Sequence, residues 1–176
     1  MTKIKTFESL DLQNKKVLLR VDFNVPLDIH ENITKITDDW RIQSSLPTIN
    51  LLLEKKAKII ICTHLGRPKG KYSKNLTVAP IAKHLSKLLK TKVNEANDSI
   101  GQSVKTLINQ LQESSILILQ NIRFYSAEEE NNSQFSKELA EPYDIFINDA
   151  FGVVHRENSS TVGITQYLPS YGGLLM

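Results

Sequence analysis

Four short apolar runs that are not interrupted by regular polar alternation limit the fold of this chain more than any other feature. They lie at residues 16–23, 58–63, 116–119 and 144–148, and the first begins to alternate toward its end. A strand that is covered on both faces buries all its side chains and reads as a continuous apolar run, whereas a half-exposed strand alternates. The runs therefore predict parallel strands inside a sheet that is covered on both sides.

Helical apolar patterns lie between these runs. Apolar residues recur three or four positions apart within 42–53, 78–89, 104–111 and, more weakly, 135–140. We expect Thr77 to cap the second helix, and we expect the three acidic residues at 128–130 to lie at the positive end of the fourth. This alternation of strands and helices predicts an α/β fold, a doubly wound parallel sheet in a three-layer α/β/α, Rossmann-like domain.

Composition narrows the class of protein. A chain of 176 residues with 40% hydrophobic and 23% charged residues is typical of a single globular domain. Cys62, the one cysteine, lies inside a predicted strand, so we expect no disulfide and a reducing, cytoplasmic location. The polar segment 1–10 has no apolar region typical of a signal peptide, and no run is long enough to span a membrane. The net charge of +3 does not favour a nucleic-acid binder.

Arginine is scarce, and its positions are informative. Five of the 22 basic residues are arginine, and four of these follow apolar runs: Arg41, Arg67, Arg123 and Arg156. A planar guanidinium grips carboxylate or phosphate through two bonds, which lysine cannot do. In a doubly wound fold the carboxyl ends of the strands and the next helix N-termini share one edge, where ligands bind. The sequence therefore predicts an anion-binding rim at that edge.

The first run carries polar residues on one face. Period-two alternation places Arg20, Asp22 and Asn24 together, opposite Val21 and Phe23. A carboxylate beside an amide can accept and donate hydrogen bonds to hydroxyl groups. The alternative is that Arg20 pairs with Asp22 and the two order only the end of the strand. The residues leave both interpretations open for Asp22 and Asn24, and they favour the structural role for Arg20.

The second run leads into Thr63-His64-Leu65-Gly66-Arg67-Pro68-Lys69-Gly70. Glycine lets the backbone approach a ligand, Arg67 can bind a phosphate with two bonds, and His64 can donate to one; the alternative is an ordinary basic turn. Neither a Walker loop nor a dinucleotide fingerprint occurs, so we expect no nucleotide site in these residues. The histidines lack metal-ligand spacing. We expect Trp40 to pack, His84 to be solvated, and Asp149 to brace its loop.

Taken in order, five motifs resemble the phosphoglycerate kinase family. They are R-V-D-F-N-V-P from Arg20, D-D-W-R-I from Asp38, H-L-G-R-P from His64, N-I-R-F from Asn121, and N-D-A-F-G-V-V-H-R from Asn148. The resemblance runs from about residue 16 to 176 and covers only the N-terminal domain of that two-domain family. It implies a substrate-binding domain over residues 1–170, the start of the interdomain linker at 171–176, and a C-terminal nucleotide domain that is absent here.

The family transfers a phosphoryl group between 1,3-bisphosphoglycerate and ADP. The resemblance implies that Asp22, Phe23 and Asn24 meet the glycerate and that Arg41 serves catalysis at the reacting end. The basic patch around the remote phosphate would be formed by the remaining matched residues, which are His64, Leu65, Gly66, Arg67, Arg123 and Arg156. Mg-ADP or Mg-ATP would bind only the complete enzyme, with no cofactor or metal on this chain.

The expected ligands are therefore 3-phosphoglycerate or 1,3-bisphosphoglycerate, bound by a monomer that is inactive without its nucleotide domain and contacts neither nucleic acid nor membrane. Two alternatives remain at this point. One is a non-catalytic phosphoanion-binding module that uses the same rim. The other is an RNA-binding domain, which would need aromatic residues interleaved with basic ones; only Phe124 and Tyr125 adjoin a rim arginine.

Overall fold

A parallel sheet forms the centre of the molecule in a computed structural model that describes residues 5–30 and 33–176. The strands are β1 (Lys16–Arg20), β2 (Leu27–His30), β3 (Ile33–Ile36), β4 (Lys58–Cys62), β5 (Val93–Glu95), β6 (Ile116–Ile118), β7 (Ile145–Asn148) and β8 (Ser170–Gly172). Six of them form one sheet in the order β5-β6-β4-β1-β7-β8, and every neighbouring pair in it is parallel. β2 and β3 form a separate antiparallel hairpin.

Helices cover both faces of this sheet. They are α1 (Trp40–Glu54), α2 (Ala79–Leu89), α3 (Gln102–Gln110), α4 (Ser126–Glu129) and α5 (Ser133–Ala140). Alternate strand residues enter two separate cores because successive side chains point to opposite faces. Leu19 and Ile61 share one core with residues of α1 and α2. Leu18 and Ile60 share the other with residues of α3 and α5. The predicted doubly wound, three-layer α/β/α architecture is confirmed.

Two predictions about helix starts were wrong. Val78, rather than Thr77, occupies the N-cap position of α2, and Pro80 lies in the first turn. The acidic residues 128–130 do not begin the fourth predicted helix, because Ser126–Glu129 is a short helix of its own. The longer helix α5 starts at Ser133, where the Asn132 side chain accepts a hydrogen bond from the N–H of Phe135. A capping side chain satisfies one of the free amide groups at a helix start.

Besides the short helix α4, four strands were not predicted from the sequence, namely β5, β8 and the two strands of the β2–β3 hairpin. The edge strand β8 pairs with β7 through Tyr171 and Gly172, so the segment expected to start a linker begins inside the sheet. The linker interpretation of the last residues stays a prediction. Part of the polar N-terminal segment, residues 1–4, lies outside the described residues. No helix among residues 5–30 and 33–176 is long and apolar enough to cross a membrane.

Asp149 ties the end of the chain to the sheet. It is fully buried just after β7, and its Oδ1 accepts a hydrogen bond of 3.0 Å from the N–H of Leu175. A Cβ at Gly173 would collide with this carboxylate, so only glycine allows the close approach. Asp149 thus has a bracing role, but it braces the end of the chain rather than its own loop as predicted. Burial raises the pKa of Asp149 above its ordinary value of 3.8, while its bond from Leu175 opposes that shift.

We predict that Asp149→Asn becomes increasingly stable relative to the parent as the pH rises from about 4 to about 7. Because the pKa is higher in the folded than in the unfolded chain, ionisation of Asp149 favours unfolding. Its stabilising contribution is full below the unfolded pKa and is lost as the pH rises through the folded pKa. Asparagine keeps the acceptor for Leu175 and does not ionise. Urea unfolding of both proteins across this range measures the difference, and a difference independent of pH would contradict the prediction.

Candidate functional site

The segment after β1 places one carboxylate and one amide at the carboxyl edge of the sheet. Asp22 is buried; its Oδ2 accepts from Nη1 of Arg41, and its Oδ1 accepts from the N–H of Asn24. The Asn24 Oδ1 accepts a bond of 2.8 Å from the N–H of Gly66, which joins this segment to the loop after β4. Phe23 points into the core, and its N–H donates to Oγ1 of Thr63. Asp22 and Asn24 therefore have fixed positions at the edge.

The loop after β4 carries the next predicted residues. The His64 side chain is only 2% exposed, whereas Arg67 is exposed. Gly66 has a φ of 62°, a conformation that favours glycine, and a Cβ there would lie 2.8 Å from Leu76. Leu65 lies in the core, so any ligand contact there is through its backbone.

Asn121 joins the loops after β4 and β6, and sequence reasoning did not single it out. Its Nδ2 donates to the carbonyl groups of Leu65 and Leu76 at 2.7 and 2.9 Å. Its Oδ1 accepts from the N–H groups of Leu65 and Arg123, both at 3.2 Å. Asn121 is fully buried, so these bonds act in a medium of low polarity. The N-I-R-F motif thus supplies both a scaffold residue and a rim arginine.

Two arginines come from the segments after β6 and β7. Arg123 is almost fully buried; its Nη1 donates to the carbonyl of Gly66 at 3.1 Å, and its Nε lies 3.5 Å from Oε1 of Glu129. Burial lowers the pKa of Arg123, and the nearby charge of Arg156 lowers it further. Arg156 is half-buried, and its carbonyl accepts from Oγ1 of Thr161.

Arg20 is buried beneath the rim rather than exposed on it. Its Nε donates to Oγ of Ser160 at 2.8 Å, and its Nη1 donates to the carbonyl of Val21. The pairing of Arg20 with Asp22 that the sequence suggested is replaced by that of Asp22 with Arg41. Ser160 in turn donates to the buried carboxylate of Glu128 at 2.6 Å. The favoured structural role for Arg20 is confirmed, with a different partner.

Several arginine side chains surround His64 and lower the pKa of its ring. Burial, together with the charges of four surrounding arginines, lowers the pKa of His64 from its ordinary value to about 2. In decreasing order of effect these are Arg20, Arg123, Arg156 and Arg41. Three of the four predicted rim arginines, Arg41, Arg123 and Arg156, thus act on the charge of one histidine. His64 is uncharged at neutral pH, so the positive charge of the site comes from guanidinium groups.

A cleft of about 240 Å³ opens beside Asp22 and Arg41. Trp40 and Phe151 line it and are 71% and 66% exposed. The expectation that Trp40 packs was wrong, because α1 begins at this residue and leaves its ring mostly exposed. A Cβ at Gly152 would collide with Oδ2 of Asp22 and lie 3.2 Å from Nη1 of Arg41. Glycine at 152 is therefore required by the Arg41–Asp22 pair.

The remaining predicted residues lie away from the rim. Cys62 is buried, and burial raises the pKa of its thiol to about 12, which agrees with an unreactive core residue. His84 was expected to be solvated, but its Nε2 lies 2.7 Å from Oδ2 of Asp39. Among residues 5–30 and 33–176, no group of three or more His, Cys, Asp or Glu side chains is arranged to hold a metal ion.

Comparison with known proteins agrees with this geometry. The family model described as phosphoglycerate kinase matches residues 7–176. A phosphoglycerate kinase of Dictyoglomus turgidum is 49% identical over 94% of this chain and 41% of its own length. Phosphoglycerate kinase 2, chloroplastic, of Arabidopsis thaliana is 49% identical over 96% of this chain and 34% of its own. The crystal structure of phosphoglycerate kinase from Pyrococcus horikoshii OT3 has a TM-score of 0.87 and 34% identity, covering 98% of this chain and 43% of that one.

The chain thus spans less than half the length of the relatives that it matches. The match extends over nearly all of its own residues, in sequence and in structure alike. On these grounds the chain belongs to the phosphoglycerate kinase family, of which it represents the N-terminal portion.

Proposed function

We propose that this chain is the triose-phosphate-binding half of a phosphoglycerate kinase. It binds 3-phosphoglycerate or 1,3-bisphosphoglycerate at the carboxyl edge of the sheet. A nucleotide domain, which the family resemblance implies, supplies Mg-ADP or Mg-ATP for phosphoryl transfer. The chain alone, as a monomer, binds the acid without turning it over. A cytoplasmic location agrees with its single buried thiol and stays a prediction.

The observation that carries the proposal is the group of guanidinium charges around His64. Arg41, Arg123 and Arg156 come from three different segments, yet all act on the same histidine. Like charges gathered at one site repel each other, so an arrangement of this kind is costly unless an anion offsets them. A phosphate monoester beside Arg123 and Arg156 carries the required negative charge and three oxygens that guanidinium groups bind well, while the carboxyl end of the same ligand would face Arg41. Remote phosphate binding of this kind can orient the reacting end of the substrate.

Asp22 and Asn24 suit the glycerate part of the ligand. The bond from Gly66 fixes the orientation of the Asn24 amide, and no bond of its Nδ2 is observed within the described part of the chain. That Nδ2 remains a donor for a ligand oxygen, while the Asp22 carboxylate can accept from a hydroxyl group. The two side chains are already held in place, so ligand binding orders few additional groups.

Arg41 is assigned the role closest to the chemistry. Asp22 holds its guanidinium at the mouth of the cleft, and the side chain is about half exposed. Phosphoryl transfer depends mainly on positioning and on stabilising charge at the transferred group. A guanidinium at the acyl end of the substrate would supply that stabilisation. The neighbouring Trp40 and Phe151 would limit access of water to the same cleft.

Binding of 3-phosphoglycerate to the purified chain tests the proposal. Isothermal titration calorimetry should show saturable binding that weakens as salt is added, because charge dominates the contact. Glycerate, which lacks the phosphate, is the matched control and should bind far more weakly. Failure to bind 3-phosphoglycerate, or equal binding of both acids, would contradict the site. ADP-dependent kinase activity from the pure chain would overturn the division between the two domains.

A second prediction concerns Arg67, which is exposed at the rim. Arg67→Lys keeps the charge but loses the planar pair of donors, so binding of 3-phosphoglycerate should weaken by about 1–3 kcal/mol. Lys87→Ala, on an exposed position of α2, removes a whole charge far from the rim loops and should leave the affinity unchanged. If Arg67→Lys binds as tightly as the parent, Arg67 does not grip the phosphate through two bonds.

A further inference from the structure

A network of buried, hydrogen-bonded polar groups connects α4 to His64. Both carboxylate oxygens of Glu128 accept from Ser160, one from its hydroxyl at 2.6 Å and one from its N–H at 2.8 Å. The Ser160 hydroxyl accepts from Nε of Arg20 at 2.8 Å, and Nη2 of Arg20 lies 3.4 Å from Nδ1 of His64. All four side chains are almost completely buried. Sequence reasoning assigned no role to Ser160 and gave Glu128 only an interaction with a helix dipole.

The donor groups in this network fix the direction of each of its hydrogen bonds. Since a guanidinium has five N–H donors and no acceptor, Arg20 can only donate to both of its neighbours. Ser160 then uses its single hydroxyl proton toward Glu128, which is the direction that the 2.6 Å contact requires. At the other end, Nδ1 of His64 must be unprotonated in order to accept from Arg20. The proton of the neutral ring is therefore on Nε2.

Asp22 favours the opposite tautomer. Its Oδ1 lies 3.8 Å from the same Nδ1 of His64, and a carboxylate accepts from a protonated ring nitrogen. Arg20 and Asp22 thus compete for one atom, with opposite demands on its proton. The outcome depends on how firmly Arg20 is held. A bond to Ser160, itself held by Glu128, keeps the guanidinium facing Nδ1.

We infer that Ser160 and Glu128, acting through Arg20, are positioning residues that hold His64 as the neutral Nε2–H tautomer, a hydrogen-bond donor toward the bound phosphate. The role of His64 as a donor toward the phosphate rests on the proposed function, whereas the assignment of the tautomer does not. Nε2 makes no hydrogen bond within the described part of the chain, and it is not among the fully enclosed atoms that lack a partner. The uncharged Nε2–H group orients the ligand through a directional hydrogen bond, whereas the arginines supply the positive charge of the site. If the other tautomer formed, Nε2 would present a lone pair to the phosphate and repel it.

The tautomer is measured directly by long-range proton–nitrogen correlation spectra of the ring nitrogens of His64, without any ligand. The parent should show a protonated Nε2 and an unprotonated Nδ1. Ser160→Ala removes the hydroxyl that holds Arg20, so a measurable fraction of the ring should move its proton to Nδ1. Ser159→Ala is the matched control, because this neighbouring serine is equally buried but donates to Ala127 and Asn132 instead. Its spectrum should match the parent.

Arg20→Lys provides a second variant. The single ammonium group of lysine cannot reach Ser160 and Nδ1 of His64 together as the guanidinium does. This variant should move the proton to Nδ1 more completely than Ser160→Ala. A parent that already carries its proton on Nδ1, or a Ser160→Ala spectrum identical to the parent's, would overturn the inference even if Arg20→Lys fails to fold.

Calorimetry then connects the tautomer to the ligand. Ser160→Ala should weaken 3-phosphoglycerate binding about fivefold, the scale of one hydrogen bond, and Ser159→Ala should leave it within about twofold. A shifted tautomer with unchanged affinity would show that the Nε2 proton does not face the phosphate. A parent that does not bind 3-phosphoglycerate would reject the proposed function and leave the tautomer result standing, so the two failures are distinguishable.

Discussion

Strand β1 lies at the centre of the sheet, and the site depends on its pairing with both neighbours. Arg20, its last residue, is in register with Cys62 of β4 on one side and with Asn148 of β7 on the other. Asp22 lies two residues after Arg20, and His64 lies two residues after Cys62. The register of β1 and β4 therefore brings Asp22 and His64 close together. Parallel pairing brings segments that are far apart in sequence to one edge, which antiparallel hairpins do not. The polar bonds across the edge then fix the loops, as between Asn24 and Gly66.

Buried charge is the second constraint on this edge. Asp22, Arg20 and Glu128 are all withdrawn from water, which is costly unless each has a partner. Asp22 is paired with Arg41, and Arg20 is connected to Glu128 through Ser160. The positive groups nonetheless remain in excess around the neutral His64. An anion would offset that excess, which is the basis of the phosphate site that we propose at this edge.

The sequence predicted the parts of this structure that have a periodic signal. The apolar runs predicted β1, β4, β6 and β7 because strands buried on both faces leave no polar alternation. β5 was missed because Asn94 and Glu95 follow its only buried apolar residue. Glu128 was interpreted as a helix-dipole residue because a buried carboxylate in an acidic run looks the same in sequence as its exposed neighbours. The exposed ring of Trp40 was missed since nothing in its spacing shows which way the first residue of a helix points. The arginines were found because their chemistry, rather than their spacing, sets them apart from lysine.

We propose that four strand ends build one phosphate site. Backbone amide spectra recorded during a titration with 3-phosphoglycerate test it most directly, because they report every loop at once. We expect the largest shifts to occur together, with one common affinity, in the segments 22–24, 64–67, 121–123 and 152–156. Amides at the opposite edge of the sheet, where β1 and β4 begin, should scarcely move. Shifts that are confined to one loop, or that spread over the lysines of α2 without saturation, would contradict a shared site.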